Sequence, residues 1–192
     1  TGLMYAHSFP ETIMVARRGD FRSVRRLLDV AGGSGCFGVS LAQCYPNLHS
    51  TVLELPFVCE ITRDYVGLIG LSNRVAVEAG DAFAEPWPEG HDAVFLSNLF
   101  HDWSIDSLGL LIGKGFASLP SGGRIYVHVL LLKGASDTQL SPTSLPAGPM
   151  ISRESRRLST SELTRILIDA GFVDIKVTST NDNHLLLSAV KC

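Results

Sequence analysis

The chain has 192 residues, of which 45% are hydrophobic and 18% charged, and its formal net charge is −3. This length and composition predict one globular domain with a full hydrophobic core, and the slight negative charge gives no basis for binding nucleic acid or an anionic membrane surface. No apolar stretch approaches the roughly 20 residues of a membrane span. The four cysteines have no metal-ligand spacing, which indicates reduced thiols, no metal site and a cytoplasmic protein.

Short apolar runs alternate with amphipathic segments along most of the chain. Such alternation is typical of βαβ units and predicts an α/β, Rossmann-like fold, in which a mostly parallel sheet has helices on both faces. The strands are predicted at 24–31, 50–55, 74–81, 92–99 and 122–132, and the helices at 11–19, 37–46, 56–70, 104–120 and 159–172.

The end of the chain departs from this alternation. Segments 173–180 and 184–191 are rich in β-forming residues and are joined by the short turn "NDN". A parallel return needs a crossover of a dozen or more residues, so this hairpin predicts an antiparallel strand at or near the edge of the sheet. Segment 133–157 is rich in Ser, Pro and Gly, and we expect a long irregular loop there, either a functional lid or disordered.

A glycine-rich stretch, "LLDVAGGSGCFG", includes the end of the first predicted strand and leads into a helix. Gly33, Gly35 and Gly38 satisfy the G-x-G-x-x-G pattern, and Glu54 ends the next strand, close to the interval expected for an acid that binds a ribose. Glycines let the backbone approach a ligand, and the helix N-terminus supplies amide donors. The combination favours a nucleotide-type cofactor, and its spacing leaves both NAD and S-adenosylmethionine open.

Two acids and the final hairpin distinguish these cofactors. Asp29, ahead of the loop, suits the ammonium group of S-adenosylmethionine, which has no pyrophosphate for the helix N-terminus. Asp81, after the third strand, is placed to bond the adenine amino group, with Ala82 or Phe83 packing nearby. The antiparallel hairpin also favours the methyltransferase version of the sheet over an all-parallel dinucleotide domain.

A series of motifs follows in one order from about Val24 onward: "LLDVAGGSG", "LELP", "GDAF", "SNLFHDWS", "LPSGGRIYVHVLLL" and "SELTRILIDAGF". This series resembles the catalytic domain of the S-adenosylmethionine-dependent O-methyltransferases. That family includes plant caffeate-type enzymes, acetylserotonin methyltransferases and many bacterial natural-product methyltransferases. The resemblance covers nearly the whole chain, and "HDW" is its most diagnostic part.

The resemblance implies a methyltransferase sheet and a set of residues that bind S-adenosylmethionine. The glycine loop would hold the methionine part, Glu54 the ribose and Asp81 the adenine. The chain departs from the family at Ser97, where many members have Lys or Arg, and at Ala31, which replaces the first loop glycine and should only tighten the turn. The implied cofactor-binding residues are Asp29, Gly32, Gly33, Gly35, Glu54, Leu55, Asp81, Ala82, Phe83 and Ser97.

The resemblance also implies a catalytic histidine. His101, in "HDWS" after the fourth strand, would be the general base, because an ordinary histidine, with a pKa near ~6.5, can take a proton from a phenol as the methyl group moves. Two acids that the family places around the site are missing, since their positions hold Val129 and Arg157. His128 is expected to be buried in its strand, and His7, His49, His91 and His184 are expected on the surface or in turns.

Members of this family normally carry a helical N-terminal dimerisation domain that lies over the acceptor site. We therefore expect residues 1–22 to be the helix that connects to such a domain, and residues 23–192 to be the S-adenosylmethionine-binding catalytic domain. The expected partners are a small hydroxylated acceptor and, mainly through the N-terminal domain, a second copy of the chain. Nucleic acid and membranes are not expected as partners.

Four functions are open at this point. The first is methyl transfer to a hydroxyl of a small aromatic or natural-product acceptor. The second keeps S-adenosylmethionine but uses it in cyclisation, decarboxylation or hydroxylation, which the loss of the acid at Val129 favours. The third, an NAD(P)-linked oxidoreductase, is allowed by G-x-G-x-x-G but lacks an accompanying Tyr-x-x-x-Lys. The fourth, a non-catalytic binding module, applies only if the acceptor pocket is collapsed.

Overall fold

The computed structural model describes residues 2–97, 105–130 and 159–192, with side chains from Pro10 onward. The helices in these ranges are α1 (Gly2–Arg18), α2 (Cys36–Cys44), α3 (Pro56–Leu68), α4 (Ile105–Ser118) and α5 (Thr160–Asp169). The strands are β1 (Arg26–Val30), β2 (His49–Glu54), β3 (Val75–Ala79), β4 (Ala93–Ser97), β5 (Arg124–Leu130), β6 (Phe172–Ser179) and β7 (His184–Lys191). The predicted elements are confirmed, although α1 begins well before its predicted start.

The strands form one sheet in the order β3-β2-β1-β4-β5-β7-β6. β7 runs antiparallel to both β5 and β6, and the other neighbouring pairs are parallel. This confirms the predicted fold class, a Rossmann-like methyltransferase sheet with an antiparallel C-terminal strand. The pairing adds one detail: β7 lies inside the sheet, so that β6 is the edge strand.

Local sequence signals place the helix ends. Pro56 occupies the first turn of α3, where its missing N–H costs nothing. Ser159 caps α5, since its hydroxyl accepts the N–H of Glu162 at 3.2 Å and the Glu162 carboxylate accepts the N–H of Ser159 at 2.8 Å. Gly171 follows α5 with a φ of 101°, a conformation that favours glycine. The predicted cap and stop of this helix are confirmed.

Both faces of the sheet are buried, because helices cover each of them. Leu28 and Val94 pack in a cluster with α4 and α5, whereas their neighbours Leu27 and Phe95 pack in a second cluster with α1, α2 and α3. This alternation follows the pleat of the strands. Within the described ranges, no helix has both the length and the apolar character that crossing a membrane requires.

The C-terminal ends of β1 to β5 meet along one edge of the sheet. The strand order reverses between β1 and β4, and ligands of open α/β sheets bind in the crevice at such a reversal. The loops that follow β1, β2 and β3 are described at this edge. The segments after β4 and β5, residues 98–104 and 131–158, lie outside the described residues.

Candidate active site

The loop after β1 turns sharply through left-handed backbone conformations. Ala31, Gly33 and Gly35 have φ angles of 52°, 58° and 75°. Glycine adopts this region freely, whereas an L-residue such as Ala31 is strained there by roughly 1–2 kcal/mol. Alanine at position 31 therefore strains the backbone. We had expected only a tighter turn there.

Two glycines make room for side chains packed beneath the loop, Gly32 for the carboxylate of Asp29 and Gly38 for Ser50. A Cβ atom on Gly32 would stand 2.7 Å from Asp29 Cγ. The N–H of Gly38 donates to Asp29 Oδ2 at 3.3 Å, and a Cβ atom on Gly38 would stand 2.7 Å from Ser50 Oγ. Packing around the buried acid therefore requires glycine at both positions, independently of any ligand.

Asp29 is a buried acid with an incomplete set of hydrogen bonds. Its side chain is fully buried and, within the described residues, Oδ1 has no hydrogen-bond partner. Burial raises the pKa of Asp29 to about 7, the charge of Glu54 acts in the same direction, and the N–H of Gly38 opposes both. A nearby cation would stabilise the charged carboxylate, and this fits the role toward an ammonium group that the sequence predicts.

Glu54 ties the end of β2 to the glycine loop. Its Oε2 accepts the N–H of Gly33 at 2.9 Å, and its Oε1 accepts the N–H of Leu55 at 2.8 Å. The carbonyl group of Gly33 is bound as well, because the hydroxyl of Thr62 in α3 donates to its oxygen at 2.6 Å. Sequence reasoning missed Thr62, whose signal is a polar residue on the buried face of an amphipathic helix.

A capped turn follows β3. Asp81 Oδ1 accepts the N–H groups of Phe83 at 2.8 Å and of Ala84 at 3.2 Å. The carbonyl of Ala82 accepts the indole N–H of Trp87 at 2.8 Å, and Ala82 is itself buried. The structure thus brings the predicted adenine-binding residues together in one rigid turn at the same edge of the sheet as the glycine loop.

The remaining predicted site residues lie at the end of β4 and beyond it. Ser97 ends that strand, and its half-buried side chain has no hydrogen-bond partner on Oγ among the residues that the structure describes. His101, the predicted general base, lies outside the described residues, as does the predicted irregular loop at 133–157, which includes Arg157.

Comparison with known proteins decides the family. The sequence profile of the O-methyltransferase domain matches residues 4–173. The chain belongs to the O-methyltransferase family. The solved structure of the S-adenosylmethionine-dependent methyltransferase SibL, in its apo form, agrees with a TM-score of 0.85 at 27% identity, over 98% of this chain and 56% of that one. These findings confirm the resemblance that the motifs carried.

Two curated O-methyltransferases are similar to the chain. It is 32% identical over 157 residues to the 3-hydroxy-5-methyl-1-naphthoate 3-O-methyltransferase of Streptomyces sahachiroi, a match that covers 82% of the chain and 46% of that enzyme. It is 32% identical over 158 residues to the demethylspheroidene O-methyltransferase of Cereibacter sphaeroides, covering 82% of the chain and 42% of that enzyme. The chain thus spans less than half the length of either relative.

One departure from the O-methyltransferase family pattern is visible in β5. Val129, at the position that the resemblance assigns to an acid, is 3% exposed and packs in the apolar cluster with Leu163 and Leu167 of α5. In the sheet it pairs with Leu185 of β7. The position is therefore part of the hydrophobic core in this member, and a carboxylate there would replace an apolar side chain of that cluster.

Two histidines of this O-methyltransferase domain are buried, where we expected them on the surface or in turns. His91 is 5% exposed and His184 is 9% exposed. His184 Nε2 lies 2.9 Å from Glu11 Oε1 on α1, and its ring stacks on the ring of His128 at 5.1 Å. The expectation was wrong for His184, which lies in β7 and is covered by contacts with α1 and β5. His91 lies between β3 and β4, outside any helix or strand, but is buried there with its Nδ1 3.1 Å from the carbonyl oxygen of Pro88.

His128, expected to be buried, is fully so, and its Nε2 lies 3.3 Å from Thr180 Oγ1. Burial lowers the pKa of His128 to about 4, the neighbouring His184 acts in the same direction, and Glu11 opposes them. In an unfolded chain this histidine titrates near ~6.5. Acid therefore protonates the unfolded state first, so the stability present above ~6.5 is lost as the pH falls toward about 4.

Acidification from pH 7 to pH 5 should lower the free energy of unfolding of the wild type. We expect this loss to exceed that of the variant His128→Leu by about 2 kcal/mol. The variant cannot take up the proton, and its leucine places an apolar side chain of similar volume beside Phe37. Urea denaturation of both proteins at pH 5, 6 and 7 measures the difference. Equal losses in the two proteins would contradict the assignment of the acid sensitivity to His128.

Proposed function

We propose that this chain is the catalytic domain of an enzyme that binds S-adenosylmethionine and transfers its methyl group to a hydroxyl of a small aromatic or natural-product acceptor. One observation carries the proposal: in an O-methyltransferase family member, a glycine loop is held between the carboxylates of Asp29 and Glu54 at the reversal of the strand order. The two curated relatives are named for O-methylation of a hydroxynaphthoate and of demethylspheroidene, which supports a small hydroxylated acceptor.

The residues at the sheet edge fit the parts of this cofactor. The buried Oδ1 of Asp29, which no described residue bonds, suits the ammonium group, and the turn begun by Asp81 suits the adenine. Glu54 would accept the ribose hydroxyls, although both its oxygens already bind backbone N–H groups and would have to share them. The other residues proposed to line the site are Gly32, Gly33, Gly35, Leu55, Ala82, Phe83 and Ser97.

The cofactor, when bound, supplies a methyl group already activated by a sulfonium. The chain has then to place the acceptor and remove its proton, and positioning alone contributes on the order of 7–11 kcal/mol. We assign the proton to His101 as general base, which contributes roughly 10²–10⁴-fold. With Val129 in the place of the orienting acid, β5 contains no carboxylate that could stabilise the imidazolium that forms.

The proposal keeps two further expectations that rest on the family resemblance and on composition. The enzyme acts in the cytoplasm, and it forms a homodimer mainly through a helical domain that precedes residues 1–22. These residues would then connect the two domains, with residues 23–192 as the catalytic domain.

The buried Val129 also supports a second candidate, in which S-adenosylmethionine is bound but serves cyclisation, decarboxylation or hydroxylation. Such chemistry does not need a base to deprotonate a hydroxyl nucleophile. It predicts cofactor binding without methyl transfer, whereas the first candidate predicts both.

A thermal-shift experiment with S-adenosylmethionine, S-adenosylhomocysteine and NAD(H) tests the cofactor. At a hundredfold excess over its Kd, a ligand stabilises by about 2.7 kcal/mol, or roughly 5–10 °C in Tm for a domain of this size. We expect that shift with the two sulfur ligands. A shift with NAD(H) alone would overturn both candidates, and labelled methyl transfer to a panel of phenols and naphthols separates them.

A further inference from the structure

We infer that Lys114 is a positioning residue that fixes the turn carrying Asp81, Ala82 and Phe83, and that it thereby sets the recognition of the adenine amino group. The inference rests on the proposed function, in which this turn binds the adenine end of S-adenosylmethionine. Lys114 lies on α4. Nothing in the sequence around it marks it as part of the cofactor site.

The ammonium group of Lys114 makes a full set of contacts with the turn. Its Nζ donates to the carbonyl oxygens of Ala82 at 2.6 Å, Phe83 at 3.0 Å and Glu85 at 2.7 Å. An ammonium has three donors, so these carbonyls account for all of them. Nζ also lies 5.6 Å from the ring centroid of Trp87, within the range of a cation–π contact.

The turn is held from two sides as a result. Asp81 Oδ1 accepts the amide N–H groups of Phe83 and Ala84, while Lys114 binds the carbonyl groups. Asp81 accepts the N–H groups, and Lys114 binds the C=O groups, of the same two peptide units, 82–83 and 83–84. The direction of the Asp81 carboxylate therefore depends on both side chains. Loss of the lysine removes a donor from three carbonyls, of which that of Ala82 keeps the indole N–H of Trp87. We expect the turn and the Asp81 carboxylate to shift together.

A second lysine provides a matched control. Lys191 Nζ donates to the carbonyl oxygens of Phe116 and Leu119, each at 2.6 Å, and lies 4.7 Å from the Phe116 ring centroid. Its chemistry thus repeats that of Lys114, but both of its carbonyl partners lie outside the turn. Lys191→Met and Lys114→Met remove similar contacts and differ in which segment they release.

The experiment measures Kd by titration calorimetry for two ligands, S-adenosylhomocysteine and S-inosylhomocysteine, in which an oxo group replaces the adenine amino group. We expect the wild type to prefer the adenosyl ligand and Lys114→Met to bind it about tenfold more weakly. We also expect the preference itself to fall at least threefold in Lys114→Met. Lys191→Met should keep both affinities within twofold of the wild type, even where its Tm falls.

A change in the preference between the two ligands separates positioning from general destabilisation. The inference is overturned if Lys114→Met retains the preference, if Lys191→Met loses it equally, or if the wild type binds both ligands alike. Failure of the wild type to bind S-adenosylhomocysteine would instead overturn the proposed function, and the inference with it.

A second variant serves if Lys114→Met does not fold. Trp87→Phe keeps a smaller ring in the core, removes the indole N–H bond to the Ala82 carbonyl and reduces the aromatic surface near the Lys114 ammonium. We expect it to reduce the preference for the adenosyl ligand about threefold, and an unchanged preference would count against the inference.

Discussion

Replacing Gly32 with alanine is expected to weaken the binding of S-adenosylhomocysteine at least about 100-fold and to lower the free energy of unfolding by about 2 kcal/mol. The added Cβ would stand 2.7 Å from Asp29 Cγ and 2.8 Å from its Oδ2. Asp29 has no room to retreat, because it is fully buried and bonded to the N–H of Gly38. The loop must move instead, and with it the backbone that we propose holds the methionine part of the cofactor.

Gly123→Ala is the matched control for this substitution. A Cβ on Gly123 would stand 2.8 Å from the carbonyl oxygen of Pro120, a clash as severe as that at Gly32, but at the start of β5 and away from the loop. We expect it to reduce stability to a similar extent and to leave the affinity for S-adenosylhomocysteine within twofold. Calorimetric titration and urea denaturation measure both effects. Wild-type affinity in Gly32→Ala would show that the loop does not hold the ligand.

Replacing His101 with alanine is expected to reduce kcat for methyl transfer by roughly 10²–10⁴-fold, the usual contribution of a general base. The affinity for S-adenosylmethionine should stay within about twofold, because the base is proposed to act on the acceptor hydroxyl rather than on the cofactor. Transfer of a labelled methyl group to hydroxynaphthoates and other phenols measures the rate, and calorimetry measures the affinity.

His49→Ala is the control for His101→Ala, since His49 is exposed on the first residue of β2. It should leave kcat unchanged. Equal rates for His101→Ala and the wild type would remove His101 from the mechanism. Cofactor binding by both proteins, with no transfer by either to any acceptor, would favour the non-methylating candidate.

The elements of the fold could be predicted because their signals are local. Apolar alternation marks the strands, the Ser159 capping box marks the start of α5, and the short Asn/Asp turn marks the final hairpin. The insertion of β7 between β5 and β6 could not be predicted in this way. Strand order depends on which edge the hairpin meets in the folded sheet, which the alternation of apolar residues and the short turn do not determine.

In the candidate site, too, the residues with local signals could be predicted, and those that depend on tertiary packing could not. The sequence could predict that Asp29, Glu54 and Asp81 share one edge of the sheet, because each stands near the carboxyl end of a parallel strand. Their supports could not be predicted, because Thr62 and Lys114 reach the loops from helices distant in sequence. Those contacts depend on how α3 and α4 pack against the sheet, which composition and spacing do not determine.

The His128 and His184 pair shows how contacts between distant segments decide burial. Each histidine by itself fits several environments, and the one it occupies is decided by Glu11 on α1 and by Thr180 before the hairpin turn. These partners lie far apart along the chain, so the burial of His184 became evident only from the folded structure.

The placement of β7 also governs how the chain can mature during synthesis. β5 pairs with β7 on one side, and β6 pairs only with β7, so both strands keep an open edge until residues 184–191 have been made. At about 5–20 residues per second, the roughly 60 residues from the end of β5 to the end of β7 take on the order of 3–12 s. For that interval the nascent chain on the ribosome exposes a strand edge that can pair with neighbouring chains. The sheet can therefore close only after the final hairpin has been made.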